Sequence, residues 1–156
     1  MSKLKAVLIN CTLKAAGESS STHALLTKLM ADLTARGVEC NVIHAVGAGI
    51  KFGTDTDMVG IDGWPRIHQV TLDSDIVVIG TPIWFGQRES VCQMVLERID
   101  AMLFETNSQG QLPLYTKVAG ACVAGNEDGA LQVAAGVLYN LTQTGATIPP
   151  SRRRIQ

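Results

Sequence analysis

Four apolar runs with little polar alternation predict the buried strands of a parallel sheet. They lie at residues 4–9, 38–46, 75–79 and 117–123. Runs of this kind are typical of strands that helices cover on both faces. The run at 75–79 is the most strongly β-branched and predicts the central strand. Thr81 and Pro82 are predicted to end it, because proline cannot donate a hydrogen bond to the ladder.

Apolar residues at helical spacing separate these runs and predict four helices. They lie at residues 23–36, 64–73, 89–105 and 131–141. In the third helix, Glu97 and Arg98 are predicted to lie on the exposed side. Alternating strands and helices imply right-handed crossovers, and therefore an α/β fold with a doubly wound parallel sheet. A fifth, edge-like strand is predicted to begin at Ala146, and Pro149 with Pro150 interrupts it.

The segment at residues 47–63 has no regular apolar pattern and is rich in Gly, Asp and Thr. Its acidic residues, among them Asp55, Asp57 and Asp62, lack the spacing and the terminal glutamate of a calcium-binding loop. We therefore expect a solvated loop without a metal.

Length and composition fit one domain. The chain has 156 residues, of which 46% are hydrophobic and 17% charged, so a core can form and disorder is excluded. The formal net charge of -1 predicts no bulk attraction to nucleic acid or to a membrane surface. No apolar run resembles a secretory signal or is long enough to span a bilayer, so we expect a cytoplasmic protein. Residues 1–150 are predicted to form the domain, and the basic tail at 151–156 to lie outside the fold.

The four cysteines, Cys11, Cys40, Cys92 and Cys122, are scattered singly along the chain. No pair has the C-x-x-C spacing, and no histidine stands at a ligand distance in sequence. We therefore predict no metal site and expect reduced, mostly buried thiols.

A loop rich in hydroxyl groups joins the first strand to the first helix. The first turn of a helix offers unpaired N–H groups and the positive end of its dipole to an anion. Serine and threonine are also ordinary helix caps, but four in succession at residues 19–22 exceed what capping needs. The loop therefore predicts a phosphate site, formed by Thr12, Lys14, Ser20, Ser21 and Thr22.

Two further loops follow the third and fourth predicted strands, where ligands bind in open α/β sheets. The first of these loops places two adjacent aromatic residues between a proline and a glycine, which favours a planar ligand. The second is a polar loop bracketed by glycines. The predicted contacts are Thr81, Pro82, Ile83, Trp84, Phe85 and Gly86 in one loop, and Gly125, Asn126, Glu127, Asp128 and Gly129 in the other.

Several ligand classes that use such sheets are excluded by their motifs. The first strand is not followed by G-x-G-x-x-G, and no Walker loop is present. A receiver domain would carry aspartates where Asn10 and Thr81 stand. A phosphatase thiolate at Cys11 would need an arginine where Gly17 stands. A phosphate loop, an aromatic loop and a polar glycine loop together fit flavin mononucleotide (FMN).

Four segments resemble the flavodoxin-like, NAD(P)H-dependent FMN reductase family: residues 10–14 with 20–22, residues 80–87, residues 95–100 and residues 125–129. The resemblance implies strand order 2-1-3-4-5, with the last strand and helix truncated or irregular. It also implies bound FMN, NAD(P)H as co-substrate and a homodimer or homotetramer. Family members continue through a Tyr-Trp pair and a last helix, in whose place this chain carries residues 151–156.

We therefore expect an FMN-binding oxidoreductase that takes hydride from NAD(P)H and passes electrons to a flavin, a quinone or a similar small acceptor. The flavin carries this chemistry, so no catalytic side chain is predicted. The main ring contact is expected from the backbone of residues 82–86. Two alternatives stay open: a flavodoxin-like electron carrier without nicotinamide activity, and a non-catalytic flavodoxin-like module that forms oligomers.

Overall fold

A computed structural model describes residues 3–150, which form one five-stranded sheet with helices on both faces. The strands are β1 (Lys5–Asn10), β2 (Glu39–His44), β3 (Ile76–Trp84), β4 (Gln87–Arg88) and β5 (Val118–Ala124). Four of them are parallel in the order β2-β1-β3-β5, which confirms the predicted doubly wound sheet. The predicted fifth strand is reduced to one parallel bridge between Val118 and Thr147.

The helices of the described residues are α1 (Ser21–Thr34), α2 (Trp64–Leu72), α3 (Ser90–Asp100) and α4 (Ala130–Gln143). Successive residues of the central strands bury their side chains on opposite faces. Leu8 and Val78 pack with Leu26 of α1 on one face, while Val7 and Val77 belong to the larger core on the other. A Cβ atom at Gly80 would lie 2.5 Å from Leu26 Cδ1, so glycine lets α1 lie close to the sheet. None of these helices is long and apolar enough to cross a membrane.

Strand β3 is longer than predicted. It continues through Thr81 and Pro82 and pairs with β5 as far as Ala124. The ladder between β3 and β1 ends at Gly80, so Pro82 lies where β3 is paired in parallel on one side only. Proline is tolerated at such positions. The prediction that these residues end the strand was therefore wrong.

The end of β3 turns back as a hairpin with β4. Ile83 pairs with Arg88 and Trp84 with Gln87, which leaves a two-residue turn. Both turn residues have a positive φ, 56° at Phe85 and 72° at Gly86. Tight hairpins of the type I′ class require this backbone conformation.

Most residues of the segment at 47–63 are exposed, as the prediction of a solvated loop expects, but the segment is also anchored to α3. Arg98 is completely buried and not on the exposed side of its helix. Its guanidinium donates to the backbone oxygens of Lys51 (2.8 Å) and Asp55 (2.9 Å) and to the buried carboxylate of Asp62. Arg98 is far in sequence from these three partners, so the local sequence pattern did not indicate the contact. No group of three His, Cys, Asp or Glu within residues 3–150 is placed to hold a metal.

Candidate functional site

A cleft of about 500 Å³ opens at the carboxyl ends of β1, β3 and β5. Ten of the sixteen predicted site residues line it: Thr12, Lys14, Ser20, Ser21, Thr22, Pro82, Ile83, Trp84, Gly125 and Asn126. Leu13 and Ala124 complete the lining. These two apolar residues carry no chemical signal in the sequence, so only their position after a strand could have indicated them.

The first wall of the cleft is the loop before α1. The Asn10 side chain accepts a hydrogen bond from Thr12 N (3.2 Å), and the Ser20 hydroxyl donates to Thr12 Oγ1 (3.1 Å). Ser20 is also the helix cap, because its hydroxyl accepts from His23 N (3.3 Å). The cap and the candidate phosphate loop are therefore one hydrogen-bonded unit.

Free donors remain at this wall. The first intrahelical bond of α1 joins Ala24 N to Ser20 O, so the N–H groups of Ser21 and Thr22 precede the helical ladder. The Lys14 ammonium crosses the loop to the backbone oxygen of Ser19 and is the one cationic side chain among the lining residues. This combination of N–H groups, hydroxyls and one positive charge can hold a phosphate.

The hairpin at the end of β3 forms the second wall and separates its two aromatic residues. Trp84 lines the cleft and is 56% exposed. Phe85 stands at the tip of the turn, 99% exposed, and does not line the cleft. A planar ligand in the cleft would therefore meet Pro82, Ile83 and Trp84.

The loop after β5 supplies the third wall and braces the hairpin. Gly125 and Asn126 line the cleft. Behind them, the Glu127 carboxylate accepts from Gly86 N (3.3 Å). A Cβ atom at Gly129 would lie 2.6 Å from Gly86 O, so the two loops touch through their backbones.

Six predicted residues lie outside the lining of the cleft: Thr81, Phe85, Gly86, Glu127, Asp128 and Gly129. Thr81 is completely buried, and its hydroxyl donates to Pro82 O (3.0 Å). Gly86, Glu127 and Gly129 hold the hairpin and the loop after β5 together. Their contribution in this structure is to position the walls of the cleft.

A neighbouring cavity of about 490 Å³ lies on the β2 side of the same loop. It shares Thr12 and Ser20 with the cleft and adds His23 and His44, neither of which was predicted as a site residue. His44 is the last residue of β2, and its Nδ1 accepts from Gly47 N (3.1 Å). The strand-end position of His44 was the signal that could have indicated it.

A buried carboxylate lies at the start of α3. Glu89 caps this helix, because its Oε1 accepts from Cys92 N (3.1 Å), and it is 3% exposed. Its Oε2 has no hydrogen-bond partner among the described residues. Burial raises the pKa of Glu89, although hydrogen bonds from Val91 N and Cys92 N act in the opposite direction.

Comparison with known families gives a match over nearly the whole chain. The family model described as NADPH-dependent FMN reductase matches residues 4–153. This match confirms the family resemblance predicted from the sequence.

Two curated proteins are similar over most of this chain. One, from Streptomyces davaonensis, is named 8-demethyl-8-aminoriboflavin-5'-phosphate synthase; it is 34% identical over 157 residues, which cover 95% of this chain and 61% of that protein. The other, from Mycobacterium bovis, is named divalent metal cation transporter MntH; it is 37% identical over 151 residues, 94% of this chain and 22% of that protein. The chain thus spans less than two thirds of either relative.

Solved structures show the same fold. RosB with bound 8-demethyl-8-formylriboflavin-5'-phosphate superposes with a TM-score of 0.86 at 34% identity, covering 94% of this chain and 62% of RosB. The NAD(P)H:acceptor oxidoreductase FerB from Paracoccus denitrificans gives 0.69 at 20% identity, covering 95% and 77%. An archaeal flavodoxin gives 0.61 at 11% identity, covering 95% and 80%. The last two show the fold alone, and together the three confirm the predicted flavodoxin-like class.

Proposed function

Because the chain belongs to the NADPH-dependent FMN reductase family, we propose that its cleft binds FMN and that the loaded protein transfers hydride from NAD(P)H to the flavin and onward to a small acceptor. Membership of this family supports the predicted class, an FMN-binding oxidoreductase, and the predicted pair of FMN and NAD(P)H. The reaction of this chain, its acceptor and its site residues are the proposal.

The observation that carries the proposal is the convergence of three predicted loops on one cleft. Thr12, Lys14 and the first turn of α1 supply donors for a phosphate monoester. Such a group gains from neutral N–H and hydroxyl donors as well as from the helix dipole. Lys14 adds one positive charge, which balances only part of the negative charge of a phosphate monoester. The helix N-terminus would stabilise the rest.

The opposite walls fit a flat ring. Pro82, Ile83 and Trp84 present an apolar strip along the end of β3. Gly125 and Asn126 face the cleft from the next strand and can hydrogen-bond the polar edge of a flavin. A Cβ atom at Gly125 would lie 3.0 Å from Ile83 Cβ, so glycine keeps these walls close together. A bound flavin supplies the hydride chemistry, and the chain positions the ring.

The first experiment titrates the protein with FMN and, as a matched ligand without phosphate, with riboflavin. We expect FMN to bind more tightly, because only FMN uses the loop before α1. Replacing Thr12 by valine removes one hydroxyl and should weaken FMN roughly tenfold while riboflavin changes little. Thr27→Val on the exposed side of α1 is the control. No FMN binding, or equal affinity for the two ligands, would contradict the proposed phosphate site.

The second experiment adds NADPH or NADH anaerobically to the FMN complex and follows the flavin absorbance band. Bleaching of the band supports hydride transfer from the nicotinamide. If FMN binds and stays oxidised with both nucleotides, the electron-carrier alternative replaces the reductase. A chain that binds no flavin and forms a defined oligomer would favour the non-catalytic module.

A second candidate function comes from the similarity to RosB, at 34% identity and a TM-score of 0.86. In this alternative a flavin 5'-phosphate occupies the same cleft as a substrate whose ring is modified. Mass spectrometry of the flavin after incubation separates the two candidates. Recovery of unchanged FMN supports the reductase, and a changed ring mass supports the alternative.

We further propose that the chain works in the cytoplasm as a homodimer or homotetramer. Its electron acceptor is proposed to be a small molecule, and no nucleic-acid partner is expected. Three large apolar side chains of the loop between β2 and α2 are exposed: Phe52, Val59 and Ile61. Such exposed groups favour contact with another subunit. Light scattering of the purified chain tests the oligomer, and a monomer would contradict it.

A further inference from the structure

Two cavities continue from the cleft towards the edge strand β2. The cavity of about 490 Å³ described above, here called the β2-side cavity, shares Thr12 and Ser20 with the cleft. It shares Ala16, Val42 and His44 with a further cavity of about 590 Å³, here called the outer cavity. The three spaces therefore adjoin one another, and the candidate phosphate loop lies between the first two.

Two histidines line the β2-side cavity on either side of Asn10. Asn10 is the register partner of His44 in the parallel ladder, and its side-chain nitrogen lies 3.4 Å from His23 Nδ1. Nδ1 of His44 accepts from Gly47 N (3.1 Å), so the neutral ring carries its proton at Nε2. That Nε2 is buried and has no hydrogen-bond partner within residues 3–150. The wall thus holds a donor that the described chain does not use.

The rest of the β2-side cavity combines apolar surface with one carboxylate. Val42 and Ala24 supply apolar wall, and Glu18 lines the same space. Oε2 of Glu18 accepts from Ala15 N (2.6 Å), which fixes the side chain. A carboxylate held in this way can accept hydrogen bonds from ribose hydroxyls, as acidic residues do in other nucleotide sites.

The outer cavity adds a cation. The exposed side chain of Arg66 lines it, together with Asp62, whose carboxylate is held by Arg98 at 2.8 Å. Because Asp62 is engaged in that buried pair, Arg66 is the charged group that the outer cavity presents to a ligand. A guanidinium stacks well on a planar base.

We propose that the β2-side cavity and the outer cavity form an adenylate subsite, which takes the adenosine monophosphate (AMP) half of a dinucleotide whose other half occupies the cleft. The inference rests on the proposed function, because it continues the same site beyond the phosphate loop. A dinucleotide joins its halves through a pyrophosphate, so its second phosphate lies next to the first. Thr12 and Ser20 border both spaces and mark the place of that crossing.

The lining matches the parts of an adenylate in order. The N–H groups of His23 and His44 would meet the phosphate, and the Glu18 carboxylate would meet the ribose hydroxyls. The base would lie against Val42 and reach Arg66 in the outer cavity. The volumes of about 490 and 590 Å³ fall within the range of small-molecule sites.

Equilibrium dialysis with radiolabelled AMP tests the subsite on the flavin-free chain and on the chain saturated with FMN. Adenosine lacks the phosphate and ribose 5-phosphate lacks the base, so both are matched ligands. We expect AMP to bind roughly tenfold more tightly than either, and FMN to leave AMP binding unchanged. Absence of AMP binding, or displacement of AMP by FMN, overturns the subsite. The flavin-free arm gives its answer even if FMN does not bind and the proposed function fails.

Variants locate the bound AMP. His44→Asn keeps an acceptor for Gly47 N and removes Nε2, so it should weaken AMP roughly tenfold. Arg66→Gln removes the stacking group from an exposed side chain and should weaken AMP roughly threefold. Arg36→Gln, at an exposed arginine on the far end of α1, is the control for lost charge. FMN affinity should stay unchanged in all three variants, and wild-type AMP affinity in both His44→Asn and Arg66→Gln would overturn the assignment.

Two further titrations identify the dinucleotide. If flavin adenine dinucleotide (FAD) supplies the adenylate, FAD binds roughly tenfold more tightly than FMN, and His44→Asn removes that advantage. If NADPH or NADH supplies it, AMP competes with the nucleotide in anaerobic flavin reduction, and His44→Asn raises KM at unchanged kcat. Neither effect, with AMP still bound, would contradict the dinucleotide.

Discussion

Nη2 of Arg98 lies 2.8 Å from Oδ2 of Asp62, and the Arg98 and Asp62 side chains are 0% and 1% exposed. The carboxylate also accepts hydrogen bonds from the backbone N–H groups of Lys51, Met58 and Trp64, each at 3.1 Å. The guanidinium carbon lies 5.6 Å from the Trp64 ring centroid, a cation–π distance. A buried pair satisfied in this way fixes the segment between β2 and α2 against α3.

Arg98→Met should destabilise the protein by about 3 kcal/mol, because removing one partner of a buried ion pair leaves the other charge uncompensated. It also leaves the backbone oxygens of Lys51 and Asp55 without their donor. Urea denaturation measures the loss. Arg36→Met, on an exposed arginine at the end of α1, is the control and should stay within about 0.5 kcal/mol of wild type. Equal effects of the two substitutions would show that the pair does not hold the loop.

Asp62 gives part of this stability a pH dependence. Burial raises the pKa of Asp62, but the hydrogen bonds from Arg98 and the three backbone N–H groups outweigh it, so the pKa lies well below its usual value. A group with a lowered folded pKa adds stability above its unfolded pKa of about 4, and this stability is lost as pH falls further. The stability gap between wild type and Asp62→Asn should therefore be largest at neutral pH. Urea titrations at neutral pH and at about pH 3 check it, and a gap independent of pH contradicts it.

The pH dependence of stability that Glu89 contributes has the opposite sign to that of Asp62. Because burial raises its folded pKa, its contribution to stability is complete below its unfolded pKa of about 4.3 and is lost as pH rises through the folded value. Glu89→Gln keeps the capping oxygen and cannot ionise, so it should be more stable than wild type at neutral pH and equal to it in acid. Thermal unfolding across pH measures how the stability difference between Glu89→Gln and wild type changes with pH. Glu39→Gln, on an exposed side chain of β2, should show no such change.

Phe85→Asn should stabilise the hairpin by about 0.5–1 kcal/mol, because asparagine tolerates the positive φ of 56° at the first turn position better than phenylalanine. Phe85 is 99% exposed, so no packing is lost. Thermal unfolding gives the stability. Phe104→Asn, at another exposed phenylalanine, controls for the loss of surface hydrophobicity. FMN affinity should not change in Phe85→Asn, and a weakened complex would show that the ring contacts Phe85.

The sheet could be predicted because each buried strand is a local apolar run. The hydroxyl residues before α1 likewise indicated their wall of the cleft, since a strand followed by a helix brings that loop to the ligand edge. The local pattern contained no equivalent signal for Arg98, because its partner Asp62 belongs to another loop.

The aromatic loop shows a second limit. Adjacent residues in sequence were expected to share a ligand, but a tight turn reverses the chain after Trp84 and places Phe85 at its tip. Trp84 therefore lines the cleft and Phe85 does not. The pairing of Trp84 with Gln87, which sets this turn, depends on β4, a strand of two residues with no apolar pattern.

Gly129→Ala tests the contact between the hairpin and the loop after β5. Gly129 has a φ of 113°, and a Cβ atom there would lie 2.6 Å from Gly86 O, so alanine brings both backbone strain and a clash. Gly37 has a φ of 83° with nothing within 4 Å of its Cβ position, so Gly37→Ala brings strain alone. We expect about 1 kcal/mol of destabilisation at Gly37 and about 3 at Gly129. Because Gly129→Ala displaces the ring wall, it should weaken FMN and riboflavin by the same factor, whereas Thr12→Val weakens FMN alone. Equal destabilisation at Gly37 and Gly129, with flavin affinity intact, would show that the two loops do not brace each other.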